Sequence, residues 1–168
     1  ANRIRFSRAD RFSSTEAYWP VTPTRWRTSC GRVATSTPKA DPSGDYAFAL
    51  FGKADAIKPG ARATLEGKAM LLAGGPTSEQ PPQGRTLYGW LMEQGRADVF
   101  LTYCTNAIAA KAEVASLQVV AVPAALAVGA DYGMVVLKDA PKAADELAGF
   151  IMGPGRAILI RHGFGAGD

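Results

Sequence analysis

Arg32-Val33-Ala34-Thr35-Ser36-Thr37-Pro38-Lys39-Ala40-Asp41-Pro42-Ser43-Gly44-Asp45-Tyr46-Ala47-Phe48 is the stretch on which the fold turns. Arg32 to Thr35 is a short run of strand-forming residues. Ser36 to Gly44 is rich in Pro, Ser and Gly, which is loop chemistry. A helix is expected from about Asp45, because Ala47, Phe48, Leu50 and Phe51 recur at three- and four-residue spacing and form one apolar face. Gly52 or the Lys58-Pro59-Gly60 turn is its expected end. Strand, loop and helix in that order form one unit of an α/β domain.

Towards the C-terminus further strands and helices alternate, without an internal repeat. Ala61 to Leu72 is a second ordered segment, closed by Gly74-Gly75-Pro76 and a Pro-rich loop to Gly84. Thr86 to Gln94 reads as a helix with Leu87, Trp90 and Leu91 inward and Gly95 as its stop. A strand is expected at Val99–Tyr103, a helix at Ala107–Val114, and strands at Leu117–Val122 and Tyr132–Leu137. Lys142 to Met152 forms the last clear helix, with Leu147, Phe150 and Ile151 on one face. Strands alternating with helices imply an α/β domain with a mixed, mostly parallel sheet flanked by helices.

Towards the N-terminus the order is lost. Ile4 and Phe6 alternate with polar neighbours as one short strand, and Pro20 and Pro23 make a regular element between Ala9 and Cys30 unfavourable. Arg3, Arg5, Arg8, Arg11, Arg25, Arg27 and Arg32 lie in this segment and account for much of the net charge of +4. The rest of the chain is close to balanced and has no basic stripe interleaved with aromatics, so nucleic acid is not an expected partner. No apolar run reaches the ~20 residues that span a bilayer.

The chemistry-bearing residues are few. With 2 Cys and 1 His, a four-ligand zinc site cannot form without carboxylates, and no protein-ligated metal is expected. Cys104, expected on a strand opposite Tyr103, reads as a buried structural thiol; a pairing with Cys30 stays open. A thiol-dependent enzyme built on Cys104 and His162 is the weakest of the functional alternatives, since no nucleophile motif surrounds either residue. The stronger reading is an anion site. Ser43-Gly44 and Gly84-Arg85-Thr86 each precede an expected helix, and helix starts carry unpaired N–H groups and partial positive charge. Gly44 permits close backbone approach. Tyr103 sits at an expected strand end, where α/β sheets place ligand crevices, and offers a neutral hydroxyl donor. Each residue alone is also explained as a cap or an ordinary core residue.

Two stretches, Thr35 to Tyr46 and Ala97-Asp98-Val99-Phe100-Leu101-Thr102-Tyr103-Cys104-Thr105-Asn106-Ala107, resemble periplasmic molybdate-binding proteins of ABC importers. Phe150-Ile151, Gly153-Pro154 and His162-Gly163-Phe164 are similar to the closing helix and tail of that family. The resemblance spans about residues 32–164 and implies a class II periplasmic-binding-protein-like lobe. It implies residues 1–31 as an irregular remnant of a first lobe and its crossover, 32–138 as the anion-binding second lobe, and 139–168 as a helix and tail returning to the first lobe. The start of the first lobe, with its serine ligands, has no counterpart in the chain. The function implied is extracytoplasmic capture of molybdate, tungstate or a related oxyanion for an ABC permease, by a non-catalytic monomer without a cofactor. Ser43, Gly44, Arg85, Thr86 and Tyr103 fall at the family's ligand positions, Arg85 standing where a small apolar residue is usual. A sensory effector-binding domain of the same fold is the alternative function.

Overall fold

The computed structural model describes residues 31–165. The N-terminal arginines before Arg32, the expected strand at Ile4–Phe6 and Cys30 with its possible disulfide lie outside that range. The described residues form two compact units, 31–128 and 129–165.

The first unit is built on a three-stranded parallel sheet in the order β2-β1-β3. Strand β1 is Val33–Ser36, β2 is Ala69–Ala73 and β3 is Val99–Phe100. All four residues of β1 are buried. That is the consequence of a central strand, which packs on both faces and gains hydrogen bonds along both edges. Val33 pairs with Ala69 on one side and Val99 on the other. Ala34 pairs with Met70 and Phe100 in the same way. The β1–β2 register breaks between Thr35 and Ser36, at the C-terminal end of the sheet. Thr37 restores the link there, donating from both its amide and its hydroxyl to the carbonyl of Ala73 at 2.8 and 3.0 Å.

Helix α1, Pro42–Ile57, follows β1. Asp41 caps it, its carboxylate accepting from the Ser43 amide at 2.9 Å. Pro42 occupies the first helical position, where its missing N–H costs nothing and its fixed φ suits the helix. The helix therefore starts three residues earlier than Asp45 and continues through Gly52 to Ile57. Phe51 and Ala47 are buried, and the Phe48 ring lies 5.3 Å from that of Phe51. The expected segment 61–72 divides into helix α2, Ala61–Lys68, and β2. Helix α3, Leu87–Glu93, is capped by the Thr86 hydroxyl, which accepts from the Gly89 amide at 3.1 Å. Leu91 is its fully buried residue. Helix α4 is Cys104–Glu113.

Two corrections to the expected order fall in this unit. The third strand ends at Phe100, short of Tyr103, and Tyr103 is instead the N-cap residue of α4. Leu117–Val122 joins no ladder among the described residues, and Val119, Val120 and Val122 are exposed. Alternating apolar residues favour a strand only where a partner edge is within reach.

The second unit holds helices α5, Lys142–Met152, and α6, Gly155–Arg161. The first was expected at those bounds. The second begins just after Pro154, its N-cap residue. Gly155 is buried against the Phe150 ring, and Tyr132 stands edge-on to Phe164 with centroids 5.7 Å apart. Tyr132–Leu137 is not a strand, and Leu147 and Phe150, on one face of α5, are exposed. A cleft of about 290 Å³ is lined by Met134, Val136, Leu137, Ala144 and Leu147 among others. The side chains that line it are all apolar.

Candidate functional site

A parallel sheet with strand order β2-β1-β3 has a natural ligand position. The connection leaving β1 runs to one side and β3 lies on the other, so the position beyond the carboxyl ends of β1 and β3 is where such a sheet is expected to place a ligand crevice. Ser36 is the last residue of β1, and Leu101 to Tyr103 continue from β3. The Leu101 amide donates to the Ala34 carbonyl at 2.9 Å, which holds that continuation beside β1.

Gly44 is brought to this end of the sheet by α1. A Cβ on Gly44 would meet the Ser36 carbonyl oxygen at 2.5 Å and the Pro38 nitrogen at 2.6 Å. The close approach that Gly44 permits is therefore between its own helix and the end of β1. Ser43, beside it, is 3% exposed. Its amide is bound by the Asp41 carboxylate, and the Gly44 amide donates to the Asp41 carbonyl at 2.9 Å. These two amides of the α1 start are thus satisfied internally. Gly74, at φ 70°, comes from the loop after β2, and its Cβ would lie 2.3 Å from that of Asp41. The same end of the sheet is thereby closed on the β2 side.

Thr86 and Arg85 form a second cluster, at the start of α3. Glu113, the last residue of α4, reaches back to them. Its carboxylate accepts from the Thr86 amide at 2.7 Å and from Arg85 Nε. Arg85 also donates to Glu93 at 2.7 Å. The Thr86 hydroxyl, the Arg85 guanidinium and the Thr86 amide, in that order, hold the Glu113 carboxyl down to about 2. Hydrogen bonds donated to Glu93 and then to Glu113 raise Arg85 above its ordinary value. The charge of Arg85 is thus set against two carboxylates, and one of them already serves as an anion at the α3 start.

Tyr103 lies against α1, its ring edge-on to that of Tyr46 with centroids 5.9 Å apart. Next to it, the Asn106 amide donates to the Thr102 hydroxyl at 2.9 Å. Cys104 is exposed at the first turn of α4, not buried. The strand that would have turned it inward stops four residues earlier. His162 lies in the other unit, at the end of α6. Among the described residues no group of three or more His, Cys, Asp or Glu is placed to hold a metal ion. No helix there is long and apolar enough to cross a membrane.

Two residues absent from the sequence-based site lie at this end of the sheet. Ser36, fully buried, has its hydroxyl 3.4 Å from the Tyr88 hydroxyl. Tyr88 packs edge-on against Phe100 of β3, centroids 4.9 Å apart and planes at 83°. In sequence Ser36 opens what reads as a loop, and Tyr88 sits between two inward residues of a helix. The available signal was the polar Thr35-Ser36 pair at the end of a strand buried on both faces.

Among known proteins, residues 23–165 match the family model described as a bacterial extracellular solute-binding protein. The uncharacterized protein PM1146 of Pasteurella multocida (strain Pm70) is 47% identical over 75 residues, which is 45% of this chain and 31% of that protein. The match thus spans about a third of that relative's length. No solved structure matches the chain. The family model covers most of the chain, and the chain belongs to the bacterial extracellular solute-binding proteins.

Proposed function

We propose that the chain binds a small oxyanion, molybdate or tungstate in the first place, at the carboxyl end of its parallel sheet and supplies it to an ABC permease. One observation carries this reading. Gly44 against Ser36, Tyr88 on Ser36, and Tyr103 on Tyr46 draw the starts of α1, α3 and α4 to one end of the sheet. Ser43, Gly44, Thr86 and Tyr103 belong to those starts.

The chemistry of the crevice favours uncharged donors. Arg85 is neutralised by Glu93 and Glu113, so it acts by fixing the α3 start rather than by meeting the ligand with its charge. Hydroxyls of Ser43 and Tyr103 hold an anion by hydrogen bonds that strengthen next to charge, yet leave it releasable. Release is what a transport component requires. No catalytic step and no cofactor belong to this reading.

The test is isothermal titration calorimetry of the chain with molybdate, tungstate, sulfate and phosphate. Saturable heat with molybdate or tungstate, reduced by Tyr103→Phe, supports the proposal. Absence of binding to all four anions sinks it.

A further inference from the structure

We propose that Tyr88 is a ligand-contacting, specificity-determining residue of this crevice and that Ser36 is its positioning residue, an inference that rests on the oxyanion reading. Tyr88 is half-buried, and its ring is fixed edge-on against Phe100. The phenol oxygen lies 3.4 Å from the Ser36 hydroxyl. That is long for an O–H···O bond, whose usual separation is about 2.7–2.8 Å. The mutual contact is weak, so the Tyr88 hydroxyl is not strongly committed to Ser36.

The two hydroxyls differ in what they can reach. Ser36 is wholly buried at the end of the central strand, with the Gly44 backbone packed over its carbonyl. No ligand touches it without moving α1. Tyr88 has exposed surface. Either oxygen of the pair can be the donor, and an arriving acceptor oxygen selects one direction. Ser36 Oγ–H then donates to Tyr88 Oη, and Tyr88 O–H donates to the ligand. Each bond of such a chain polarises the next. A fully deprotonated oxyanion oxygen, which only accepts, is the partner this polarity fits. A ligand without an acceptor at that position leaves the Tyr88 hydroxyl unpaired, which is the basis of discrimination.

The experiment compares tungstate affinity of the chain with that of Tyr88→Phe, Ser36→Ala and the double variant, alongside thermal unfolding midpoints. Tyr88→Phe keeps the ring on Phe100, and roughly tenfold weaker binding is expected, the loss of one hydrogen bond to a charged group. Ser36→Ala is expected to weaken binding roughly threefold, as the loss of a neutral hydrogen bond does. Because Ser36 acts through Tyr88, the double variant binds no more weakly than Tyr88→Phe. A purely structural role would lower the midpoints and leave the affinities alone. Wild-type affinity in Tyr88→Phe overturns this inference while the oxyanion reading stands. If Tyr88→Phe does not fold, unchanged affinity in Ser36→Ala overturns it instead. Failure of the unmodified chain to bind tungstate, molybdate, sulfate or phosphate overturns both.

Discussion

The Cβ that Gly44 lacks would sit 2.5 Å from the backbone carbonyl oxygen of Ser36. The first turn of α1 therefore rests directly on the end of the central strand, backbone against backbone. Neither side has a flexible side chain that can give way.

Gly44→Ala is expected to lower stability by about 1–3 kcal/mol or more, as overpacking does. In a chain of this size that corresponds to a thermal midpoint lower by roughly 2–12 °C. Gly52, also in α1, has nothing within 4 Å of its Cβ position. Gly52→Ala is accordingly expected to stabilise by about 0.5–1 kcal/mol. Calorimetric melting of the two variants checks the contrast; equal effects would mean that α1 does not press on β1.

Phe51 is fully buried and packs on Phe48. Phe51→Ala is expected to cost about 3–5 kcal/mol, the transfer and cavity cost of a buried ring. Denaturant unfolding followed by circular dichroism measures it. A loss below about 0.5 kcal/mol, the level of an ordinary surface substitution, would place Phe51 outside the core.

These packing residues show what the sequence made legible. Ala47 and Phe51 were readable from helical spacing, and both are buried. The apolar face of α1 points to a start near Asp45, whereas the cap-and-first-turn pattern Asp41-Pro42 sets the actual start three residues earlier. Strands were harder. Val33–Ser36 was found within one residue, but Leu117–Val122 and Tyr132–Leu137 have strand periodicity and no ladder. Periodicity reports a face, whereas a strand exists through a non-local partner that no local pattern contains. The α/β class was legible because β1 and β3 lie between turn signals and helices, whereas β2 follows α2 directly, with no turn signal to divide them. Ser36 and Tyr88 were not, since their pairing spans 52 positions of sequence.

Glu113 gives a pH dependence of known sign. Its carboxyl titrates at about 2 in the folded chain, against an ordinary value of 4.5. A carboxyl with a depressed folded value contributes stability that is present above about 4.5 and lost as pH falls towards 2. Glu113→Gln is therefore expected to lower the unfolding midpoint at pH 7, with the gap from the unmodified chain narrowing between pH 4.5 and 2. A gap that is constant over that window would contradict the Thr86 and Arg85 contacts.

Cys104 is exposed beside Tyr103. In a Cys30→Ser background, a maleimide is expected to modify Cys104 in the native chain without denaturant. Modification places bulk next to the crevice, so tungstate binding is expected to weaken. An inert thiol in the folded state would show that the start of α4 is covered.

The central claim is that an oxyanion sits beyond the carboxyl ends of β1 and β3. Crystals of the chain grown with tungstate test it most directly, because tungsten is located by its anomalous scattering. One strong peak is expected among Ser43, Tyr88 and Tyr103, with the Tyr88 hydroxyl within hydrogen-bonding distance of a tungstate oxygen. A peak elsewhere on the molecule, or none at saturating tungstate, would contradict it.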